Sequence, residues 1–436
     1  MPATRNSEII KHEAIPTEWS IKRLKYCATE ISKGAGITKE EVIEDGNTQC
    51  VRYGEIYSKY NNSFSDCYSA TNKEKLTSLR FFAYGDILFA GTGELIEEIG
   101  KNIVYLGDKQ CLAGGDIIVV KHEQNPSFLN YALNSVYSQA QKSCGKLKLK
   151  VVHISPTEIG NIDIALPNLS EQERIATFLD SKCAEIDALT ADIQAQIDTL
   201  EEYKRSVITE AVTKGLNKDA EMQDSGIEWA NQIPKHWEIL KGKYNFKQRN
   251  DRGNSKSLQL LSPTQNFGVI PQSKYEELTG MSAVKLKEDV DLSALKTIHS
   301  GDFCISLRSF QGGFEYSTYE GVVSPAYQVF YAAYRQIDDR YFKYMFKEKG
   351  FIEKMNSYTL SLRDGKNIAF ADFGNSYLPI PPSDEQKRIA DYIDRKVADI
   401  NAIIDIKHEQ LATLDAYKKS LIYEYVTGKK SVSEVS

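Results

Sequence analysis

Apolar residues recur with a seven-residue period over two long stretches of the chain. A seven-residue period places apolar side chains on one face of an α-helix and is typical of helices that pack on another helix. In the first stretch the periodic residues are Ile186, Ile193, Leu200 and Val207, with Leu189, Ile197 and Tyr203 between them. In the second stretch they are Ile400, Leu411, Leu414, Tyr417 and Leu421. The pattern predicts two long helices, over about 171–212 and 385–426, that pack on each other through these seams, with a helix packed on its own domain as the alternative.

The two predicted helices begin with nearly the same sequence. The stretch "EQERIATFLDSK" starts at Glu171, and "EQKRIADYIDRK" starts at Glu385, 214 positions later. Ser170 precedes the first stretch and Glu173 follows three residues after it, which is the spacing of a capping box. Asp384 is the equivalent cap in the second copy. Both stretches are therefore interpreted as helix starts.

The repeat extends well beyond these helix starts. "IPTEWSIKRL" near the beginning of the chain recurs as "IPKHWEILKG", and "GDIL" at 85–88 recurs as "GDFC" at 301–304. "LEEYKRSVITEAVTKG" at 200–215 is matched by "LDAYKKSLIYEYVTGK" at 414–429. Since the repeat unit is about half of the chain, the sequence indicates a tandem duplication.

Each half combines short β-type runs with one long helix. Runs such as "NIDIAL" and "GVVSPAYQVFYAAY" are bounded by Gly, Asn and Ser, which favours an irregular α+β domain. The fold predicted is α+β, with the two irregular α/β domains separated by two long coiled-coil-like helices. The segments are a first domain at 1–166, a helix at 167–222, a second domain at 223–380 and a C-terminal helix at 381–436.

Composition restricts the function without defining it. The chain has 436 residues and a net charge of −6, so any nucleic-acid surface must be a local patch rather than a basic domain. The segment 240–256, with six Lys and Arg residues against the single acid Asp251, is such a patch. The chain shows no apolar run of about 18 residues and no secretory signal, which predicts a cytoplasmic protein without membrane segments. The seven cysteines form no C-x-x-C pair and the six histidines show no ligand spacing, so no disulfide framework and no metal site are expected.

Three short motifs resemble catalytic sequences and fail at a required residue. "GTGELIEEIGK" at 91–101 has Ile96 where a dinucleotide-binding loop needs glycine, so we predict a turn between strands. "SPAY" at 324–327 has Ser324 where amino-methyltransferases carry Asn or Asp, so Pro325 and Tyr327 are assigned to a turn and core. "PSDEQK" at 382–387 has the acids of a nuclease core, but its counterpart in the first half lacks the lysine. No catalytic residue is predicted.

Taken together, the doubled helix motif, the paired "IPxxW" sequences, "GDIL" and "VSPAY" resemble the DNA specificity subunit of type I restriction-modification systems. The resemblance covers nearly the whole chain and implies two target recognition domains, each reading one half of a bipartite, asymmetric DNA sequence. It implies an antiparallel helix pair that sets the gap between the half-sites. It also implies a non-catalytic subunit that directs adenine methylation and DNA cleavage by its partners. The target sequence does not transfer, because recognition domains vary widely within the family.

The same resemblance implies the partners and cofactors. The expected partners are double-stranded DNA, two methyltransferase subunits and, in the full complex, two ATP-dependent restriction subunits. S-adenosylmethionine, ATP and Mg²⁺ would bind to those partner subunits, and none of them to this chain. Two alternatives stay open at this point: a self-sufficient methyltransferase or nuclease, and a coiled-coil scaffold that does not read DNA.

Candidate DNA contacts follow from side-chain chemistry, because Arg and Lys bind phosphates and guanine whereas Asn and Gln suit adenine. Lys146, Lys148 and Lys150 alternate in "GKLKLKVV", which would place three ammonium groups on one face of a strand. A lysine-protected strand edge is the alternative. Their counterparts in "SLRDGK" are Arg363 and Lys366. Further candidates are Arg52, Arg249, Arg252, Gln265, Asn266, Arg308 and Gln311.

The predicted antiparallel helices can be tested as a ruler, meaning the element whose length sets the gap between the two DNA half-sites. Inserting four residues near Ala195 adds about 6 Å of helix and keeps the seam nearly in phase. Because two base-pair steps span about 6.8 Å, the gap in the DNA target should lengthen by one or two base pairs. Mapping methylated adenines with the partner subunits present measures this gap. Altered half-sites, or persistent methylation with an unchanged gap, would contradict the ruler.

Overall fold

The computed structural model describes residues 15–147, 151–252, 258–282, 294–305, 313–333, 337–358 and 368–432. Contacts divide the chain into two compact units. Unit 1 combines Met1–Gln194 with His408–Ser436, and unit 2 consists of Ala195–Lys407. Unit 1 is therefore assembled from opposite ends of the chain. The four sequential segments proposed from the sequence stay a prediction.

Unit 1 contains two main sheets, with a five-stranded sheet in the order β2-β11-β7-β9-β4 and a four-stranded sheet in the order β5-β3-β10-β6. Its strands are β1 (Ser20–Arg23), β2 (Ala28–Lys33), β3 (Thr48–Val51), β4 (Ser63–Phe64), β5 (Ser69–Thr71), β6 (Phe81–Phe82), β7 (Ile87–Ala90), β8 (Thr92–Gly93), β9 (Asn102–Tyr105), β10 (Cys111–Ala113), β11 (Ile117–His122), β12 (Val152–His153) and β13 (Asp163–Leu166). Its helices are α1 (Tyr53–Ser58), α2 (Pro126–Asn134), α3 (Val136–Ser143), α4 (Pro156–Gly160) and the first part of α5 (Leu169–Lys214).

The central strands β7 and β9 of the five-stranded sheet of unit 1 are buried on both faces. Successive side chains of a strand point to opposite faces, and all four residues of β7 are fully buried. Phe89 packs in one core with Phe128 of α2, whereas Leu88 packs in the other with Phe82 of β6. The continuous apolar run "ILFA" is thus explained, because a strand covered by a helix layer and a second sheet has no solvated face.

Unit 2 contains a four-stranded antiparallel sheet in the order β17-β24-β21-β22 and several two-stranded pairs. Its strands are β14 (Met222–Asp224), β15 (Gln232–Pro234), β16 (Glu238–Lys241), β17 (Phe246–Arg249), β18 (Leu261–Thr264), β19 (Gly268–Pro271), β20 (Lys296–Ile298), β21 (Phe303–Ile305), β22 (Phe314–Tyr316), β23 (Gly321–Val323), β24 (Gln328–Ala332) and β25 (Tyr377–Ile380). Its helices are α6 (Gln272–Thr279), α7 (Asp339–Met345), α8 (Lys349–Ser357), α9 (Phe370–Asn375) and parts of α5 and α10 (Ser383–Val426).

Phenylalanine rings fill the core of unit 2. The ring of Phe246 on β17 lies 5.0 Å from that of Phe342 on α7, and the ring of Phe330 on β24 lies 4.7 Å from that of Phe373 on α9. Such aromatic pairs add about 0.5–1.5 kcal/mol each beyond the area they bury. The sheet and these two helices are therefore joined by one aromatic cluster.

The duplication is visible in equivalent turns of the two units. Gly85 and Gly301 have φ angles of 85° and 90°, a left-handed conformation that glycine adopts without strain. The buried carboxylate of Asp86 accepts a hydrogen bond from the Ala83 amide at 2.9 Å, and that of Asp302 accepts one from the His299 amide at 2.8 Å. The repeated "GD" is thus a glycine turn closed by an aspartate.

The ends of the long helices pack against the Pro and Trp residues of the "IPxxW" sequences. In unit 2, Gly215 follows α5 with φ 72°, and a Cβ there would lie 3.2 Å from the Trp237 ring. In unit 1, Gly428 follows α10 with φ 73°, and a Cβ there would lie 2.4 Å from Cδ of Pro16. The glycines are required because any larger side chain would crowd the ring it faces.

The long helices begin slightly earlier than predicted, and the predicted capping residues are wrong. Helix α5 begins at Leu169, and Oδ1 of Asn168 accepts a hydrogen bond from the Glu171 amide at 3.0 Å. Helix α10 begins at Ser383, after the Pro382 carbonyl. Ser170 and Asp384 therefore lie inside the first turns, and the Asp384 carboxylate binds Arg388 instead. The groups that accept from the first turns belong to Asn168 and Pro382, each two residues before the predicted cap.

The two long helices run antiparallel within each unit. In unit 1 the rings of Phe178 on α5 and Tyr425 on α10 lie 4.5 Å apart. Further along α5, Asp187 accepts a hydrogen bond from Lys418, which precedes Tyr425 on α10. In unit 2 the Lys204 ammonium donates to Asn401 Oδ1 at 3.0 Å, and Lys407 donates to Gln196. Because higher numbers on α5 meet lower numbers on α10, the antiparallel direction follows in each unit separately. The α+β class and the tandem repeat are confirmed.

The apolar seam is narrower than the sequence pattern indicated. Ile186, Val207, Ile400 and Leu421 are buried, and Ile193, Leu200, Leu411 and Leu414 are half-buried. Ile197 is also buried. By contrast, Leu189, Tyr203 and Tyr417 are 53%, 52% and 54% exposed. A helix turns once every 3.6 residues, so these three residues lie at the margin of the seam and outside the contact.

None of the helices in the described part of the chain combines the length and the hydrophobicity that a bilayer crossing requires. All seven cysteines are free thiols.

The exposure difference on α5 provides a matched pair of variants. Ile186→Ala should lower the free energy of unfolding by about 3 kcal/mol, because a buried aliphatic side chain is replaced by a cavity. Leu189→Ala, three residues further along the same helix, should change it by less than about 0.5 kcal/mol. Urea denaturation followed by helical circular dichroism measures both. Equal losses would show that Leu189 belongs to the packed seam.

Candidate nucleic-acid interface

Lys146 does not lie on a strand, contrary to the alternating-lysine prediction. It follows the turn at Gly145, and the strand β12 begins only at Val152. Its ammonium group contacts Oε1 of Glu158 at 2.6 Å and the His153 carbonyl at 2.7 Å. Burial opposes the charge of Glu158, but the hydrogen bonds from Lys146 and Ser155 outweigh it and lower the pKa of this carboxyl. Lys146 therefore ties its loop to α4.

Six of the twelve predicted contact residues cannot be placed. Lys148, Lys150, Arg308, Gln311, Arg363 and Lys366 lie outside the described residues. The equivalence between the lysine row and Arg363 with Lys366 therefore stays a prediction, as does the contribution of all six to DNA binding.

Arg249 is bound to carboxylates within its own unit. Its guanidinium donates to Asp302 at 2.7 and 2.9 Å and to Asp251 at 3.1 Å, and it stacks on the Tyr331 ring at 4.2 Å. Burial works against the charge, but Asp302 and Asp251 outweigh burial and raise the pKa of Arg249. Because its donors already have partners, the arrangement makes Arg249 a support for the "GD" turn. Arg252 is exposed and donates to the Ala294 carbonyl at 2.8 Å.

Other residues of the 240–256 patch remain at the surface. The ammonium groups of Lys241 and Lys243 lie over the rings of Tyr377 and Tyr244, at 5.2 and 5.7 Å from the ring centroids. Both tyrosines are more than half exposed, and Lys247 is exposed on β17. Exposed ammonium groups beside aromatic rings suit contacts with phosphates and sugars. Lys256, the last basic residue of the patch, lies outside the described residues.

Gln265 and Asn266 form the exposed tip of the β18–β19 hairpin. The Thr264 hydroxyl donates to the Gly268 carbonyl at 2.9 Å and accepts from the Phe267 amide at 3.2 Å, which closes the turn. Gly268, with φ 68°, permits the return into β19. A closed turn holds the two amide side chains at the surface, where they can pair with an adenine edge. Among the predicted residues in the described part of the chain, these two have the geometry best suited to base reading.

Arg52 precedes α1 and begins a surface that sequence reasoning missed. Its guanidinium contacts Oε1 of the buried Glu55 at 3.3 Å and keeps 33% of its side chain exposed. On the same helix Tyr53 is 40% exposed, and the Lys59 ammonium lies 4.2 Å from the ring centroid of Tyr68. The clustering of Tyr and Lys in "RYGEIYSKY" was the available signal. We call Arg52, Tyr53, Lys59 and Tyr68 the α1 surface.

The three motifs that resemble catalytic sequences have structural roles. Thr92 and Gly93 form β8, which pairs with β12, and the rest of the motif is the predicted turn between strands, running through the 3-10 turn Ile96–Glu98 to β9. "SPAY" forms the turn between β23 and β24, where the Tyr327 carbonyl accepts from Lys296 at 2.7 Å. In "PSDEQK" the Glu385 carboxylate contacts His236 Nε2 at 2.7 Å. Within the residues that the structure describes, no cluster of three or more His, Cys, Asp or Glu could hold a metal ion.

The duplicated fold agrees with comparisons to known proteins. The model of the type I restriction modification DNA specificity domain matches residues 16–199 and 238–413, so the chain belongs to this family. The specificity subunit of the type I restriction enzyme MjaX from Methanocaldococcus jannaschii is 23% identical, over 95% of this chain and 94% of that protein. The MjaVIII specificity subunit of the same organism is 24% identical, over 97% of this chain and 95% of that protein.

A solved structure shows a similar fold. A chain from a study of complex assembly and conformational transition of the type I R-M system has a TM-score of 0.68 and 16% identity, covering 95% of this chain and 99% of that chain. Family membership assigns this chain to DNA sequence recognition, in a subunit that is not itself catalytic. It gives no support to the self-sufficient enzyme or to the scaffold.

The hairpin tip can be tested apart from phosphate binding. Changing Gln265 and Asn266 together to Ala should weaken binding to the recognised sequence about 10- to 100-fold, since a bidentate amide pair contributes about 1–3 kcal/mol of discrimination. Binding to random DNA and its salt dependence should stay the same, because no phosphate contact is removed. Fluorescence anisotropy with both DNAs measures this, with Gln410→Ala on the exposed side of α10 as control. An equal loss on random DNA would refute base reading by the tip.

Proposed function

We propose that this chain reads a bipartite, asymmetric DNA target, with one half-site for the recognition domain of each unit. The observation that supports this proposal is a duplicated fold with different surfaces. Unit 2 presents the amides of the hairpin tip, whereas unit 1 presents the Arg, Lys and Tyr side chains of the α1 surface. Since amides suit adenine and Arg suits guanine, two unlike surfaces select two unlike half-sites.

The chain is proposed to act with two methyltransferase subunits, and with two restriction subunits in the full complex. Exposed apolar side chains on the long helices support a helix-bound partner. In unit 2, Tyr203, Ile403 and Ile406 are 52%, 45% and 56% exposed, and in unit 1 Leu189 and Tyr417 are similarly exposed. Clusters of exposed apolar residues are a common feature of protein interaction surfaces. Because the substrate is the chromosome, we place the complex in the cytoplasm.

Cofactor binding is assigned to the partners. We propose that S-adenosylmethionine is held by the methyltransferase subunits, and ATP and Mg²⁺ by the restriction subunits. The net charge of −6 supports a division of labour in DNA binding as well. A chain with few phosphate contacts releases few counterions on binding DNA and gains limited affinity. The partner subunits must therefore supply many of the contacts with the DNA backbone.

The proposal predicts a single asymmetric methylation motif. In a host that carries this chain with its methyltransferase partner, single-molecule sequencing should find methylated adenines in one bipartite, non-palindromic sequence. The same host with the partner alone should lack this motif, because the recognition domains are missing. A palindromic motif, or one that persists without this chain, would refute the proposal. Labelled S-adenosylmethionine should not bind to the isolated chain, and stoichiometric binding would overturn the cofactor assignment.

A further inference from the structure

Two glutamines at equivalent positions of the repeat are almost completely buried. Gln172 and Gln386 lie in the first turns of α5 and α10, 214 positions apart, and each is 1% exposed. An amide removed from water must find partners for its donors and its acceptor, or its burial costs free energy. The partners of these two side chains show what the repeated "EQ" does.

In unit 1, Gln172 joins the start of α5 to the start of α2. Its Oε1 accepts from the Asn125 amide at 3.0 Å, and its Nε2 donates to the Pro167 carbonyl and to Gln124 Oε1, both at 2.9 Å. Asn125 is the N-cap of α2 and accepts from the Phe128 amide at 3.0 Å. One side chain therefore connects the cap of a recognition-domain helix to the first turn of the long helix.

Gln386 makes the same connection in unit 2. Its Oε1 accepts from the Asp338 amide at 2.9 Å, and its Nε2 donates to the Pro381 carbonyl at 2.8 Å. Asp338 is the N-cap of α7 and accepts from the Arg340 amide at 3.0 Å. Because a main-chain amide only donates and a main-chain carbonyl only accepts, these partners fix the orientation of the side-chain amide in both units.

A second hydrogen bond joins the same helices further along. The Tyr131 hydroxyl on α2 donates to Asp180 on α5 at 2.8 Å, and the Tyr344 hydroxyl on α7 donates to Asp394 on α10. In both units the long-helix residues are eight positions apart, and the cap and tyrosine are six apart. Each recognition-domain helix is thus attached to its long helix at two points with identical spacing. We call each set of two attachments a latch.

The latch supplies a property that the apolar contact between the helices lacks. The helices also contribute buried apolar residues to a shared core, Phe128 and Ile175 in unit 1 and Phe342 and Ile389 in unit 2. Apolar burial is non-directional, so it specifies the register of two helices less sharply than a hydrogen bond does. Sliding by two residues moves a helix about 3 Å along its neighbour, close to one base-pair step of about 3.4 Å. The directed hydrogen bonds add a further penalty to that of close packing when a helix leaves the observed register.

We propose that Gln172 with Asp180, and Gln386 with Asp394, are positioning residues that fix the register of each recognition domain on its long helix. Through this register they fix the number of base pairs between the half-sites. The inference rests on the proposed function, because it assumes that each unit reads one half-site. It adds that gap length depends on these latches as well as on helix length.

The test is the gap selectivity of the methylation complex. The double variant Gln172→Glu and Gln386→Glu keeps the size of both side chains but removes the Nε2 donors, so that a carboxylate faces each proline carbonyl. Methylation rates are measured on DNAs that carry the same half-sites with the gap unchanged, one base pair shorter or one base pair longer. The ratio of altered-gap to correct-gap methylation should rise at least about tenfold over the unmutated complex, with the half-sites unchanged.

Two further variants separate positioning from general stability. Gln410→Glu makes the same chemical change on the exposed side of α10 and should leave the ratio unchanged. The double variant Tyr131→Phe and Tyr344→Phe removes only the second attachment of each latch and should also raise the ratio of altered-gap to correct-gap methylation. If the glutamate variant does not assemble with its partners, this variant replaces it in the test. A lower melting temperature with an unchanged gap ratio would overturn the inference, as would altered half-sites. If the unmutated complex methylates no bipartite sequence, the proposed function fails and the inference fails with it.

Discussion

The structure depends on one constraint: the core of each unit is closed by the end of a helix that begins in the other unit. In unit 1, Leu421 and Tyr425 from the end of α10 share a core with Ile175 and Leu179 from the start of α5. In unit 2 the end of α5 supplies Val212 to the equivalent core. Helices of 46 and 44 residues are not kept ordered by propensity alone, because most helical stability in proteins comes from packing an apolar face. Helix formation and domain closure are therefore coupled.

The same constraint explains why short motifs occur twice. Within each unit one long helix begins and the other ends, so each unit needs a helix start that attaches to its domain and a helix terminus that fits into it. The buried glutamine serves the start. The glycine against "IPxxW" serves the terminus, where a Cβ at Gly215 or Gly428 would crowd the facing ring. The motifs are thus joints between helix and domain, and their chemistry is structural rather than catalytic.

The candidate DNA surfaces are those whose side chains stay exposed, including Arg52, which contacts Glu55 but keeps a third of its side chain exposed. Lys146 and Arg249 carry the charge that DNA binding requires, yet both are bound to carboxylates inside their own units. The hairpin tip and the α1 surface keep exposed side chains on backbones that turns and caps hold in place. This agrees with an acidic chain whose DNA contacts are local.

The sequence by itself determined the features that follow from period and repetition. The seven-residue spacing gave two long helices, the repeated segments gave two similar units, and the failed catalytic motifs pointed away from an active site. These succeed because helix periodicity and duplication are properties of the chain read in order.

Tertiary structure alone decided which polar side chains are free. Glu158 and Asp302 bind the predicted site residues Lys146 and Arg249, and Asn168 rather than Ser170 accepts from the first turn of α5, through contacts that spacing does not encode. The seam also lost Leu189 and Tyr203, since a pattern of apolar residues defines a helical face but not how much of it the neighbour covers. The latch was hidden for the same reason: Gln172 looks like an ordinary polar residue of a helix start until α2 is placed beside it. Hydrogen bonds between distant segments depend on the assembled geometry, and that is the information the linear sequence does not display.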